Sequence, residues 1–312
     1  MTIDLVREEI AAFLGFTIAS APVPFVVHGE EVETSYRRCK ISYPSVDGEW
    51  IPAFLLVPEG DGPFPAVVVH HQHAGQRHLG KSEVCGLAGE PLQAFGPALA
   101  RQGFVVLAPD SICFEDRRRR GQGIEPDDDD VAQHYDEMCY RLLRGDTLMR
   151  KVLSDSAQAV SLLLNHPQVN ARCVGMLGHS YGGSTVLFHG ALDMRIQFAC
   201  SSGAAASYRC LMDQQEGIEM SKVIPGFIPR YDIADLVACF GPRPLLVVSA
   251  TEDWASLDAP AVVAEAQARS EQFGDTACVD HMRFEGEHGL TQERFDAIVS
   301  WLAQHAVAAG EC

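Results

Sequence analysis

The chain is short of the features that mark several protein classes. Its ten cysteines include no Cys-x-x-Cys pair, so the spacing of a redox motif or a zinc ribbon is missing. Positive charge is scarce: 24 lysines and arginines against 42 acidic residues give a net charge of −18 over 312 residues. Such a balance excludes nucleic acid or an anionic membrane surface as the expected partner. No apolar run approaches the roughly 20 residues of a membrane-spanning helix. Met1-Thr2-Ile3-Asp4 lacks the basic start and long apolar core of a secretory signal. Reduced, structural thiols in a cytoplasmic protein are therefore expected.

What is present is the composition of a soluble enzyme with a large core, 47% hydrophobic and 21% charged. Val-rich runs alternate with helical stretches, the pattern of a mostly parallel sheet covered on both faces. Eight strands are predicted: 37–43, 51–57, 66–70, 104–108, 173–177, 196–200, 245–249 and 279–284. The first two alternate and enclose the turn Val46-Asp47-Gly48, as an antiparallel hairpin would. Later strands are continuous apolar runs, as strands buried on both faces are. Helices are predicted over 91–101, 153–165, 183–192, 233–239, 260–273 and 292–306. A helical extension is predicted within residues 1–30, and its exposed face makes a homodimer a candidate assembly. The whole of 1–312 reads as one domain, with 111–150 and 201–231 interrupting the alternation as lid segments.

The sharpest local signal is Gly178-His179-Ser180-Tyr181-Gly182-Gly183, placed between an apolar strand and a helix. That order is what a nucleophile elbow needs. A sharp turn strains the serine backbone and demands small neighbours two positions to either side, which Gly178 and Gly182 supply. Ser180 then projects from the sheet edge as the candidate nucleophile. A serine hydroxyl needs a base, and the base needs a carboxylate to hold its tautomer. In this chain order the acid follows a later strand, and Asp253 follows 245–249; Glu252 and Asp258 are its rivals, Asp258 fitting a helix N-cap better. His288 stands in the glycine-flanked loop after 279–284 and is the candidate base. His281 and His305 are structural candidates.

Acyl transfer also needs two donors for an oxyanion. The amide of Tyr181 is one, and the loop His70-His71-Gln72-His73-Ala74-Gly75 offers Gln72 as the other, with His71 the alternative. His70, His71, His73 and His78 could be read as a metal cluster. Alternate strand residues face opposite ways, however, so no metal and no cofactor are expected. Arg117 to Arg120 and Asp127 to Asp130 form opposite charge blocks that could pair or be solvated. A sharper alternative is that an arginine there holds an anionic substrate group. His71, Arg117 and Trp254 are the candidate substrate contacts.

With these residues assembled, the chain resembles the α/β-hydrolase superfamily, and more narrowly the dienelactone hydrolase and acetyl xylan esterase-like group. The resemblance rests on His71-Gln72 with Gly80-Lys81 and Gly86-Leu87-Ala88-Gly89, on Gly103 to Asp110, on Phe114 to Arg117, on Asn165 to Val169, on the elbow and on Pro242-Arg243-Pro244. It implies an α/β-hydrolase fold and cleavage of a small-molecule carboxylic ester through an acyl-enzyme. The chain departs from dienelactone hydrolases proper at position 180, where they use cysteine, so their substrate does not carry over. A peptidase or amidase of the prolyl oligopeptidase-like type, an acyl transferase or carbon-carbon lyase, and a binding protein on the same scaffold are the alternatives.

Overall fold

The computed structural model describes residues 2–18 and 21–310. The strands are β1 (Val26–Val32), β2 (Tyr36–Pro44), β3 (Trp50–Pro58), β4 (Phe64–His70), β5 (Val105–Pro109), β6 (Val169–His179), β7 (Phe198–Ser202), β8 (Leu245–Ala250) and β9 (Val279–Phe284). They form one sheet in the order β1-β2-β3-β5-β4-β6-β7-β8-β9. The pairs β1/β2, β2/β3 and β3/β5 are antiparallel, and every pair from β5/β4 to β8/β9 is parallel.

The helices are α1 (Ile3–Leu14), α2 (Lys81–Val84), α3 (Phe95–Arg101), α4 (Asp130–Leu143), α5 (Leu148–Leu164), α6 (Tyr181–Leu192), α7 (Tyr208–Asp213), α8 (Ile233–Ala238), α9 (Ala259–Gln272) and α10 (Gln292–Gly310). The central parallel strands β4, β5, β7 and β8 lack polar alternation because both their faces are covered, whereas the edge strand β9 is only partly buried. In β4, Ala66 and Val68 pack into the layer built from α1, α5, α6, α8 and α9, while Val67 and Val69 pack towards α3 and α10.

The sheet has nine strands rather than the eight expected. The extra one, β1, is exposed at every residue and pairs only with β2, so no buried face imprints a pattern on its sequence. Within residues 1–30 the expected N-terminal helix is α1, Ile3–Leu14, and β1 begins at Val26. Thr2 caps α1 by accepting from the Leu5 amide at 3.3 Å, and Gly15 ends it in a left-handed conformation. The apolar face of α1, with Ile3, Val6, Ile10 and Leu14, is buried in the chain's own core. Arg7 secures it by donating to the carbonyls of Ala191 and Cys239.

The two interrupting segments carry structure of their own. Residues 111–150 contain α4, and the opposite charge blocks pair with each other. Arg118 donates twice to Asp130 at 2.7 Å, and Arg120 pairs with Asp129. Residues 201–231 contain α7 and a single helical turn, Met220–Lys222. Among the described residues no helix is long and apolar enough to cross a membrane.

Candidate active site

Strand β6 ends at His179, and Ser180 turns the chain sharply into α6 with φ 56° and ψ −118°. A non-glycine residue held there costs on the order of 1–3 kcal/mol, so its surroundings must enforce it. The Ser180 amide is fixed to the Ser202 carbonyl at 2.8 Å. A Cβ at Gly178 would lie 2.2 Å from the Gly182 carbonyl carbon, and one at Gly182 would lie 2.3 Å from the His70 carbonyl oxygen. The glycine spacing is therefore a requirement of close backbone approach between the elbow and the end of β4.

Three side chains from separate strand ends converge at this point. Ser180 Oγ lies 2.8 Å from His288 Nε2, and His288 Nδ1 lies 2.8 Å from Asp253 Oδ1. Asp253 is fully buried after β8 and is held twice more, by the Ala255 amide at 2.9 Å and by Ser256 Oγ at 2.5 Å. Burial alone would raise its pKa. The hydrogen bonds from His288, Ser256 and Ala255 outweigh burial and bring it below the usual carboxylate value. Asp253 is thus an anion that fixes Nδ1–H on His288 and leaves Nε2 free to accept from Ser180.

The rivals for the acid do other work. Glu252 is exposed, and Asp258 accepts from the Ser207 amide at 3.0 Å and its hydroxyl at 2.6 Å, tying residues 201–231 to the start of α9. His281 bonds Ser249 at 2.8 Å, and His305 stacks on Trp301.

Beneath the triad, His179 packs its ring 5.0 Å from that of His288 and shares a 2.9 Å hydrogen bond with Ser202. Burial and the neighbouring His288 depress its pKa to about 3, so it stays neutral. The sequence reading assigned it no role, although it sits inside the elbow motif.

The loop after β4 lies against the elbow, its His70 and His71 carbonyls meeting Gly182. The Gln72 side chain is turned away, donating to buried Glu83 at 3.0 Å, which anchors the loop on α2. Neither the Gln72 nor the Tyr181 amide has an acceptor among the described residues. Tyr181 directly follows Ser180, and Gln72 directly follows the His71 carbonyl that meets Gly182.

Of the candidate substrate contacts, only Trp254 faces the cleft. It is 40% exposed and stacks 5.9 Å from the His288 ring. His71 is a correction: it is buried, with Nδ1 on the Gln72 carbonyl at 2.8 Å and Nε2 accepting from the Ser111 amide at 3.1 Å. Burial brings its pKa to about 4, and both ring nitrogens are spent on the loop itself.

Arg117 is the second correction. It reaches inward to Asp155 at 2.9 Å, Glu49 at 2.9 Å and the Asp110 carbonyl at 3.2 Å, and takes no part in the cleft. The four loop imidazoles also separate. His70 bonds Ser156, His71 the loop, His73 the Gly75 amide, and His78 lies 3.9 Å from Asp130. Asp110, Glu115 and Asp116 do converge, but the Lys81 ammonium sits among them.

The cleft at Ser180 measures about 330 Å³ including its open mouth. Its wall includes His73 from the β4 loop, and Leu211, Glu219 and Lys222, which the sequence does not single out. The last three lie in 201–231, where no periodicity or motif marks them.

The sheet order, the strained elbow serine and the imidazole and carboxylate after β9 and β8 are those of the α/β-hydrolase fold. Residues 51–202 match the dienelactone hydrolase family. A curated relative, "Putative hydrolase YtaP" of Bacillus subtilis (strain 168), is 27% identical over 209 residues. That alignment spans 66% of this chain and 66% of the relative's length. Among solved structures, a "putative acetyl xylan esterase" from Bacteroides fragilis NCTC 9343 superposes with a TM-score of 0.71 at 15% identity, covering 97% of this chain and 86% of that one. A glucuronoyl esterase from Solibacter usitatus gives 0.67 at 17% identity, over 96% and 91%. At these identities the structural likeness is one of fold.

Proposed function

We propose that the chain is a serine esterase that cleaves a carboxylic ester of a small molecule through an acyl-enzyme. The observation that carries this reading is the continuous path from Ser180 through His288 to Asp253, with both hydrogen bonds at 2.8 Å. Ser180 attacks the ester carbonyl while His288 takes its proton, and the Asp253 anion balances the imidazolium that forms. The Gln72 and Tyr181 amides receive the oxyanion, and the N-terminus of α6 adds its dipole. His288 then gives its proton to the leaving alcohol, and activates the water that frees the acid.

The family match, and the ester substrates named for the structural relatives, support ester cleavage. The modest cleft favours a small substrate. The nine described cysteines are all unpaired, which supports placing the enzyme in a reducing compartment, the cytoplasm.

Stopped-flow hydrolysis of 4-nitrophenyl acetate tests the reading. A stoichiometric burst of nitrophenol in wild type, with no burst and only residual turnover in Ser180→Ala, is the expected result. Equal turnover by Ser180→Ala would contradict it.

A further inference from the structure

One charge in the wall of this cleft has no hydrogen-bond or ion-pair partner among the described residues. Lys222 ends the turn Met220–Lys222 and is only 5% exposed, its side chain lining the same cleft as Ser180. Its backbone is pinned, because the Tyr208 hydroxyl donates to the Lys222 carbonyl at 2.8 Å and the Lys222 amide donates to the Glu219 carbonyl at 2.9 Å. The ammonium lies 5.1 Å from the centre of the Tyr208 ring and makes no hydrogen bond or ion pair among the described residues.

The carboxylates around it are held by other groups. Glu219 turns both oxygens back on Ser221, Asp258 holds Ser207, and Asp232 Oδ1 accepts the Tyr208 and Ile233 amides, while its Oδ2 lies 3.9 Å from Arg209 Nε and takes no hydrogen bond from Lys222. Burial pulls the lysine down to about 8 against the opposing influence of Glu219, Asp232 and Asp258, so at neutral pH it remains a charged donor. A buried charged donor without an acceptor is costly. An oxygen arriving with the substrate removes that cost. Glu219, in the same wall, opposes a second negative charge there.

We infer that Lys222 is a specificity-determining residue that donates a hydrogen bond to a neutral oxygen substituent (hydroxyl, ether or keto) on the ester bound at Ser180. The inference rests on the esterase reading of that site and names the substrate class it selects.

Two 4-nitrophenyl esters of matched size test it: the butyrate, and the methoxyacetate, which has an oxygen in place of one methylene. Their intrinsic reactivities differ, so the quantity read is the ratio of kcat/KM, methoxyacetate over butyrate, compared between enzymes. That ratio should fall about tenfold or more from wild type to Lys222→Met, and Lys222→Arg should keep part of it. Labelling by a fluorophosphonate shows whether each variant is folded.

If a variant does not label, the wild-type pH profile decides. His288 acts equally on both esters and cancels in the ratio. Glu219 faces Lys222 from its own turn, Asp232 from the start of α8 and Asp258 from the start of α9, with the Tyr208 phenol, raised by burial, on α7. The ratio should decline as pH rises through about 8, where Lys222 loses its proton.

A ratio within twofold of wild type in labelled Lys222→Met, or one that stays flat across pH 8, would overturn the inference. Stronger turnover of a 4-nitrophenyl hemisuccinate than of the methoxyacetate would overturn the neutral-oxygen assignment. If wild type cleaves neither plain ester, it is the esterase reading that fails.

Discussion

At the scale of single residues, the site is a problem of clearance. Ser180 can hold its strained conformation only because Gly178, Gly182 and the His70 carbonyl approach within distances that exclude a methyl group. Gly182→Ala should therefore lower kcat by more than about a hundredfold, because relieving the clash moves the β4 loop with its Gln72 amide. Circular dichroism with kcat measured on the same sample checks this, and full activity in a folded variant would contradict it. Asp253→Asn should cost kcat about three to four orders of magnitude with little change in KM, since it favours the wrong His288 tautomer.

Ser180, Asp253 and His288 were legible in the sequence because glycine spacing and chain order are local signals. Lys222 and Glu219 were not, because the fold alone brings their turn to the cleft. Arg117 was misread for a related reason. A run of arginines looks the same whether it faces solvent or, as here, carboxylates such as Asp155 and Glu49.

At the scale of elements, the ends of strands carry the chemistry and short helices brace them. Helix α2 places Lys81 among Asp110, Glu115 and Asp116, and Glu83 under Gln72. Lys81→Met would leave Asp110 and Glu115 facing one another with no cation, and Asp116 with only the half-exposed Lys40 at 3.6 Å. It should cost about 3–5 kcal/mol of stability, read by urea denaturation; a loss below 1 kcal/mol would contradict the account.

The parallel strands were readable as apolar runs, whereas β1, exposed throughout, was not. Helix α4 is hidden in the sequence because its buried face mixes Met138 with Gln133, His134 and Glu137, which bond to Arg119 and Arg77.

At the scale of the whole molecule, buried neutral imidazoles tie stability to pH. Burial holds His71 at about 4 and His73 and His179 at about 3, against 6.5 for an ordinary histidine. Below pH 6.5 the unfolded chain binds protons that the folded chain refuses. Stability is therefore full above that value and is lost as pH falls towards 4, by up to about 1.4 kcal/mol per pH unit per imidazole. Glu83 and Glu219, raised by burial, run the opposite way and make the net slope shallower. Thermal melting should show Tm falling between pH 6.5 and 4, and a flat Tm there would contradict the burial of these rings.

The central claim is an activated Ser180. Wild type, Ser180→Ala and His288→Ala treated with a fluorophosphonate, followed by peptide mass mapping, test it most directly. One adduct is expected, on the peptide bearing Ser180 and absent from both variants. A folded wild type that takes no label, or a label that persists in Ser180→Ala, would contradict it.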